Sequence, residues 1–308
     1  MALRDRLTDG SIVMTRADLK ITRTLLANYP AVGLNTVAHL AAAAGVSNPS
    51  VVRFVLRLGF DSYASFQKIL LDEVQERMSS PLSMLDAGKG TQPQEGIYQD
   101  VMRAGAQALE VAMTMVPPAD FEAAAALAAD PGLRVSCLGG RFSGYLAGML
   151  WSHLRQLRAD CHWVNGSRSD QVDTLVDLGK RDLVIAYDYR RYQIDTIRFA
   201  QTAAAQGARI VLFTDRWKSP IVEQADVVLT APVEGPSPFD TMLPALAQTE
   251  ALIAAITARL AKTSRGRIER MEALRRDSVI TEDSLDAQKA ARTDITPPRA
   301  ETAGRRKT

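Results

Sequence analysis

Between residues 133 and 230, five short apolar runs alternate with longer helical stretches, and this alternation constrains the fold more than any other feature. Runs that are bounded by turn residues and separated by helices of roughly 10–20 residues are typical of a parallel sheet covered by helices. The runs are LRVSCL (133–138), DCHWV (160–164), DLVIAY (182–187), ARIVLF (208–213) and ADVVLT (225–230). The sequence therefore predicts an α/β domain with a five-stranded parallel sheet.

The chain of 308 residues is long enough for about two domains. Short helical patterns fill residues 1–78, and a stretch rich in Ser, Pro and Gly follows at 79–95, where we expect a linker. The α/β domain is predicted over 96–261, with helices at 97–115 and 119–129 before the sheet and a final helix at 238–261. Residues 262–308 are basic and lose the long apolar runs, which predicts a partly disordered tail.

Composition excludes several classes of protein. No window reaches the roughly 18 consecutive apolar residues of a membrane-spanning helix, and the first residues lack the pattern of a signal peptide. The two cysteines, Cys137 and Cys161, exclude a disulfide scaffold, and the three histidines have no zinc-binding spacing. We therefore expect a cytoplasmic protein that needs no metal or cofactor and does not enter a membrane.

The segment VAHLAAAAGVSNPSVVRFVL (37–56) has the pattern of a helix-turn-helix, a pair of helices whose second member lies in the major groove of DNA. Gly45 suits a turn with positive φ, and Ala41 suits the close approach of the two helices. The apolar residues expected between the helices are Leu40, Ala44, Val46, Val51 and Phe54. The alternative is an ordinary helical hairpin, to which alanine-rich segments are prone.

A second helix that begins after Ser47 would leave several polar residues on faces that the core does not need. Arg53 is the best candidate for a base edge or a phosphate, and Thr36 at the start of the preceding helix could hold a phosphate. The candidate DNA-binding residues are Thr36, Ser47, Asn48, Pro49, Ser50, Arg53 and Arg57. Plain solvent exposure is the competing interpretation for each of them.

The segment that follows, VVRFVLRLGFDSYASFQKIL, resembles the N-terminal domain of the RpiR family of bacterial transcriptional regulators. The matching positions are Ala44 to Ser47, Ser50 to Phe54, Leu58 to Phe60, Tyr63, Phe66 and Lys68. The resemblance implies that the α/β domain is a sugar-isomerase-type (SIS) domain. It also implies a homodimer or homotetramer that binds a palindromic operator in double-stranded DNA and responds to a small metabolite, often a phosphorylated sugar.

Two loops depart from the usual SIS pattern. After the first strand the family usually has Gly-x-Gly-Ser-Ser, but LGGRFSG keeps only Gly139 and Ser143, with Arg141 and Phe142 replacing the second glycine and first serine. After the third strand the family usually has Ser-x-Ser-Gly-x-Thr. In YDYRRYQ these four positions are taken, in order, by Asp188, Arg190, Arg191 and Gln193.

These loops follow the carboxyl ends of strands, where open α/β sheets bind ligands. Guanidinium groups there could hold a phosphate or carboxylate in place of hydroxyls, and the alternative is that they pair with Asp188 or a neighbouring subunit and close the pocket. The candidate effector-binding residues are Gly139, Gly140, Arg141, Ser143, Asp188, Arg190, Arg191 and Gln193.

The function that these features favour is a transcription factor that responds to a small anionic metabolite, such as a sugar phosphate, a sugar acid or a carboxylate. One alternative is a sugar-phosphate isomerase with an added helical domain, for which Glu250 and Asp188 are the only acid–base candidates. Another alternative is a protein whose α/β domain only joins subunits. The rebuilt hydroxyl loops argue against catalysis.

Overall fold

The computed structural model describes residues 3–8, 13–78, 80–86, 88 and 96–278, which form a helical N-terminal part and a larger α/β part. The helices of the N-terminal part are α1 (Leu3–Thr8), α2 (Arg16–Ala27), α3 (Val37–Ala44), α4 (Asn48–Arg57) and α5 (Tyr63–Met78). Thr15 and Asp18 form a capping box at the start of α2. Ile21, Leu25 and Phe66 are fully buried between these helices, so this part has its own apolar core.

Three helices connect this part to the sheet. They are α6 (Pro81–Asp86), α7 (Ile97–Met115) and α8 (Pro118–Ala129). The segment 79–95, predicted as a linker, contains the short helix α6, whose Met84 is buried. Residues 79, 87 and 89–95 of this segment lie outside the described residues. Pro118 occupies the first turn of α8, where its missing amide hydrogen costs no hydrogen bond.

The α/β part contains five parallel strands in the order β2-β1-β3-β4-β5, which confirms the predicted sheet. The strands are β1 (Arg134–Gly139), β2 (Cys161–Val164), β3 (Asp182–Tyr187), β4 (Arg209–Thr214) and β5 (Val227–Thr230). The helices between and after them are α9 (Gly144–Leu157), α10 (Arg168–Leu175), α11 (Ile194–Ala205) and α12 (Leu243–Asp277). In this order the chain reverses direction across the sheet between β1 and β3, which is where such sheets bind ligands.

Helices cover both faces of the sheet. Every residue of β3 is buried, and its side chains alternate between two apolar cores. Ile185 and Tyr187 pack in the core that α8, α9 and α12 share, whereas Val184 and Ala186 pack in the core beside α11. This two-sided burial explains why DLVIAY reads as a continuous apolar run.

The last helix is longer than the sequence predicts. The predicted helix ends at 261, but α12 continues to Asp277. Beyond 261 the helix still packs against the domain, because Ser264 is buried and Arg267 donates to the carbonyl of Arg155 at 2.8 Å. The predicted boundary at 261 therefore falls inside a helix, while the predicted disordered tail beyond 278 lies outside the described residues. In the described part of the chain, none of the helices is long and apolar enough to cross a membrane.

Candidate functional site

Gly45 forms the turn between α3 and α4 in a left-handed conformation, as predicted. Its φ and ψ angles are 62° and 45°, a region that residues with a side chain disfavour. The amide of Gly45 donates to the carbonyl of Ala42 at 3.2 Å, and the amide of Val46 donates to that of Ala41 at 3.0 Å. These bonds satisfy the last carbonyls of α3 and direct the chain into α4.

The facing sides of α3 and α4 share the apolar core that the sequence predicts. The buried residues on the two helices are Leu40, Ala41, Ala44, Val51, Phe54 and Val55, and Val46 is partly buried beside them. Because these side chains occupy the inner face of α4, the opposite face of the helix is left to solvent. The described geometry is that of a helix-turn-helix.

Three polar residues form a hydrogen-bonded chain along the first turns of α4. Ser47 occupies the N-cap position but makes no capping bond, and its Oγ lies 2.9 Å from the Oγ of Ser50. An Nη of Arg53 donates to the same Ser50 oxygen at 3.3 Å. Asn48 and Pro49 are exposed next to this chain. The structure thus brings five of the predicted DNA-binding residues together on one exposed surface, which we call the α4 surface (Ser47, Asn48, Pro49, Ser50 and Arg53).

Thr36 lies apart from the α4 surface, at the start of α3. It is the N-cap residue of that helix, and its hydroxyl accepts the amide of His39 at 3.2 Å. The residue is exposed. A phosphate at this position would therefore meet a helix N-terminus whose cap is already formed.

Arg57, a further DNA-binding candidate, forms an ion pair inside the N-terminal part. Its Nη2 lies 2.6 Å from Oδ1 of Asp18, whose side chain is 1% exposed, while that of Arg57 is 39% exposed. Burial raises the pKa of the Asp18 carboxyl, but hydrogen bonds from Thr15 and Arg57 outweigh it, so that the pKa lies below its ordinary value. The main contact of Arg57 is therefore structural, since it joins α4 to α2.

A cavity of about 560 Å³ opens at the carboxyl ends of β1 and β3. Its lining residues are Gly140, Arg141, Phe142, Ser143, Asp188, Tyr189, Arg190, Arg191, Gln193, Phe239, Asp240 and Met242. Of the predicted effector-binding residues, only Gly139 does not line it. The cavity lies at the reversal of strand order, and its volume is in the range of ligand-binding clefts. We call it the effector cavity.

The turn after β1 is held closed by side chains of the protein. The amide of Gly140 donates to Oγ of Ser143 at 2.9 Å, and that hydroxyl donates to the carbonyl of Tyr187 at 2.7 Å. The amide of Arg141 donates to Oε1 of Gln193. A Cβ atom on Gly139 would lie 2.6 Å from the amide nitrogen of Gly144, so this position requires glycine for the close approach of strand and helix.

Asp188 lies at the floor of the effector cavity and is buried. One carboxylate oxygen accepts the hydroxyl of Ser219 at 2.5 Å, and the other accepts the amide of Gln193 at 3.2 Å. Burial raises the pKa of Asp188 to about 7, and the neighbouring carboxylates of Asp215 and Asp195 act in the same direction. The carboxyl group therefore changes its charge near neutral pH.

Arg190 is also buried, and its partner is not the one that the sequence suggests. Its guanidinium donates to Oδ1 of Asp240, with 2.9 Å from Nε, and lies over the ring of Trp217. Its backbone amide donates to Asp215. Arg190 thus binds a carboxylate from the loop before α12, a partner that the sequence reasoning did not include.

Arg141 and Arg191 lie at the mouth of the cavity and are exposed. Within the described residues, neither guanidinium forms an ion pair with a carboxylate, and that of Arg141 lies over the ring of Phe142. Arg191 has a φ angle of 63°, an unfavourable value for a residue with a side chain. It stands where the usual SIS pattern has glycine, the residue that a left-handed backbone favours.

Sequence reasoning missed five residues that line the cavity: Phe142, Tyr189, Phe239, Asp240 and Met242. Three of them come from the irregular segment before α12, where no periodic pattern indicates a cavity. Tyr189 lies between the predicted residues Asp188 and Arg190, so its position in the sequence could have indicated that it lines the cavity. Glu250, an acid–base candidate of the isomerase alternative, is exposed on α12 and does not line the cavity. Across the described ranges, His, Cys, Asp and Glu form no group of three that could hold a metal ion.

Comparison with known proteins agrees with this architecture. Residues 1–77 match the helix-turn-helix domain of the rpiR family, and residues 133–255 match the SIS domain. The sugar isomerase domain of an RpiR transcription factor from Sphaerobacter thermophilus is 25% identical, with a TM-score of 0.53, over 57% of this chain and 98% of that one. No curated protein sequence matches the chain significantly.

A second solved structure is similar over most of the chain. The Vibrio vulnificus NanR protein, solved in complex with ManNAc-6P, is 15% identical with a TM-score of 0.52, over 89% of this chain and 97% of that one. A helix-turn-helix domain followed by a SIS domain defines a DNA-binding transcriptional regulator with a domain for carbohydrate derivatives. The chain belongs to the RpiR family.

Proposed function

We propose that the chain binds a palindromic operator in double-stranded DNA through the α4 surface, and that an anionic metabolite in the effector cavity changes its affinity for that operator. The observation that carries the proposal is that one chain holds both an exposed polar turn on the second helix of a helix-turn-helix and a cavity whose mouth carries Arg141 and Arg191, which form no ion pair among the described residues.

Arg53 is the residue that we assign to base recognition. It lies one turn after the start of α4, the end of a recognition helix that contacts base edges. Its contact to Ser50 is a single hydrogen bond of 3.3 Å between exposed groups. The Arg53 side chain would therefore lose only this one bond if it turned to contact the edge of a guanine base. Asn48 and Ser50 are assigned to bases or phosphates, and Ser47 and Thr36 to phosphates, through hydroxyls near helix N-termini. Pro49 contributes the fixed backbone of the first turn.

Arg57 takes a secondary place in this proposal. Its ion pair with the buried Asp18 fixes α4 against α2, and the exposed part of its side chain lies a turn further from the base-reading end. We therefore assign to Arg57 the orientation of the recognition helix and, through its exposed edge, at most a phosphate contact.

A palindromic operator requires two copies of the chain. In helix-turn-helix dimers, the two recognition helices contact half-sites one helical turn apart, roughly 34 Å. The proposal therefore includes a homodimer or homotetramer in which the SIS domains set the distance between the two α4 surfaces. A metabolite that favours one arrangement of the dimer would shift the population toward or away from the DNA-binding spacing.

The effector part of the proposal is supported by the charges at the mouth of the cavity. Arg141 and Arg191 present guanidinium groups without carboxylate partners among the described residues, and such groups bind carboxylates and phosphates with two parallel hydrogen bonds. The isomerase alternative is less well supported, because Glu250 lies outside the cavity and the oxygens of Asp188 are held by Ser219 and Gln193. We propose that the chain is not an enzyme.

Selection from a random pool of duplex DNA tests the DNA part of the proposal. The full-length protein should enrich one two-fold symmetric sequence at a fixed salt concentration near 150 mM. An isomerase with a helical extension would enrich no sequence and would interconvert aldose and ketose phosphates. The effector part is tested by thermal shift against sugar acids, sugar phosphates and short carboxylates. If none of these anions stabilises the protein while DNA binding persists, the chain is not an anion sensor.

A further inference from the structure

The turn after β1 has no free cradle for a phosphate group. Successive backbone amides in such a turn can surround an anion, but here the amides of Gly140 and Arg141 already donate to Ser143 and Gln193. The Gln193 side chain fills the concave side of the turn, since a Cβ added to Gly140 would lie 2.7 Å from its Oε1. A phosphate could enter this turn only after Gln193 had left it.

The floor of the cavity carries more acidic than basic groups. Asp188 and Asp240 line it, and Asp215, which does not line it, accepts the backbone amide of Arg190. The guanidinium of Arg190 is already bound by Asp240, and the carboxyl group of Asp188, whose pKa is about 7, is partly ionised at neutral pH. A dianion placed at the floor would meet this partial negative charge in a buried environment, where charges are weakly screened.

The mouth has the opposite charge. Arg141 and Arg191 both line it. Arg191 has a left-handed backbone conformation that favours glycine, yet an arginine occupies the position. Residues with such an unfavourable backbone cluster at ligand-binding and active sites, where the surrounding structure holds them in place. The anionic end of a ligand is therefore best placed at the mouth.

The floor offers hydrogen bonds to neutral polar groups. The carboxyl group of Asp188 lines the cavity and has lone pairs left beyond its two bonds to the protein. These lone pairs can accept the hydroxyls of a polyol.

From this polarity we infer that the effector is a polyhydroxy carboxylate of the sugar-acid class, bound with its carboxylate between Arg141 and Arg191 and its hydroxyls against Asp188. This inference rests on the proposed function, because it names the ligand of the same cavity. It differs from a sugar phosphate held by the turn after β1, because Gln193 closes that turn.

Isothermal titration of the full-length protein tests the inference. The probes are the hexonates and hexuronates of glucose, galactose and mannose, the corresponding aldose 6-phosphates, and the uncharged hexitols. We expect at least one sugar acid to bind at least about tenfold more tightly than the phosphate and the hexitol of the same sugar. A phosphate ester that binds more tightly than its sugar acid would overturn the inference and leave the proposed anion sensor intact, whereas no binding by any anion would overturn both.

Variants make the test independent of which sugar binds. Arg191→Gly should weaken sugar-acid binding at least about tenfold without lowering the melting temperature, because glycine relieves the left-handed backbone. Arg198→Ala, an exposed arginine on α11 outside the cavity, is the matched control and should bind normally. Gln193→Ala should open the turn and add a measurable affinity for inorganic phosphate. Unchanged sugar-acid binding in Arg191→Gly would contradict the inference.

Discussion

Arg57 on α4 and Asp18 on α2 form an ion pair at 2.6 Å in which the carboxylate is buried and the guanidinium is half-exposed. The two residues are 39 positions apart in the sequence, and their contact fixes the inclination of α4 against the rest of the N-terminal core. The two arginines of α4 therefore have different surroundings. Arg57 is directed inward, and Arg53 points to solvent beside Ser50.

Replacing Arg57 with alanine should loosen the N-terminal part. The buried carboxylate of Asp18 would lose its charged partner while keeping its bonds to Thr15, and we expect a cost of about 1–3 kcal/mol in local stability. Hydrogen–deuterium exchange of the full-length variant should show faster exchange in α2 and α4. Arg53→Ala is the control and should leave exchange unchanged. Equal protection of α2 in the two variants would contradict the structural role of Arg57.

Asp240→Asn should destabilise the α/β part because the Arg190 side chain is only 1% exposed. Removing one partner of a buried ion pair costs about 3–5 kcal/mol of folding stability. Because Asp215 still lies near Arg190 and partly balances its charge, we expect a loss toward the lower end of this range. Glu234→Gln, which breaks the more exposed pair with Arg216, is the control and should cost less than about 1 kcal/mol. Thermal unfolding measures both. If Asp240→Asn melts as late as Glu234→Gln, the Arg190–Asp240 pair does not stabilise the fold.

Asp188 should make stability fall as the pH rises from about 4 to about 7. Its pKa is about 7 in the folded protein and 3.8 in the unfolded chain, so the folded state holds a proton that the unfolded state has lost over this interval. The stability is fully present below the unfolded pKa and falls by up to about 1.4 kcal/mol per pH unit toward the folded pKa.

The variant Asp188→Asn isolates this effect, because asparagine has nearly the same shape but does not titrate. Its Oδ1 can accept the amide of Gln193, while its Nδ2 donates to Oγ of Ser219 in place of the bond that Asp188 accepts. Urea unfolding from pH 4 to pH 8 should show the wild-type protein losing stability relative to the variant as the pH rises. Asp215 and Asp195, the other carboxyls near this group, are present in both proteins and largely cancel in the difference. A difference that is constant with pH would show that Asp188 stays ionised throughout.

The sequence predicted local features well, because each is written in neighbouring residues. The strands follow from apolar runs bounded by turn residues, and the turn at Gly45 follows from one glycine between two helical patterns. Seven of the twelve residues that line the effector cavity are among the predicted candidates, because a parallel sheet places the residues after β1 and β3 at the same edge.

The rest depends on contacts between distant parts of the chain. Asp240 lies 50 positions from Arg190 in an irregular segment, and no pattern in the sequence joins the two residues. The extension of α12 to Asp277 was missed because residues after 261 lack long apolar runs, although a single face of the helix, with Ser264 and Ile268, still packs on the domain. Tertiary packing stabilises a helix there that composition alone does not predict.

The central claim, that Arg53 on the α4 surface reads bases, is tested most directly by one ratio: the affinity of the full-length protein for its selected operator divided by its affinity for a scrambled duplex, at fixed salt. The account predicts that Arg53→Ala lowers operator affinity by about 1–3 kcal/mol and lowers this ratio, while binding to the scrambled duplex changes little. An equal loss on both duplexes would make Arg53 a phosphate contact only. An unchanged ratio with unchanged affinity would show that α4 does not contact the operator through Arg53.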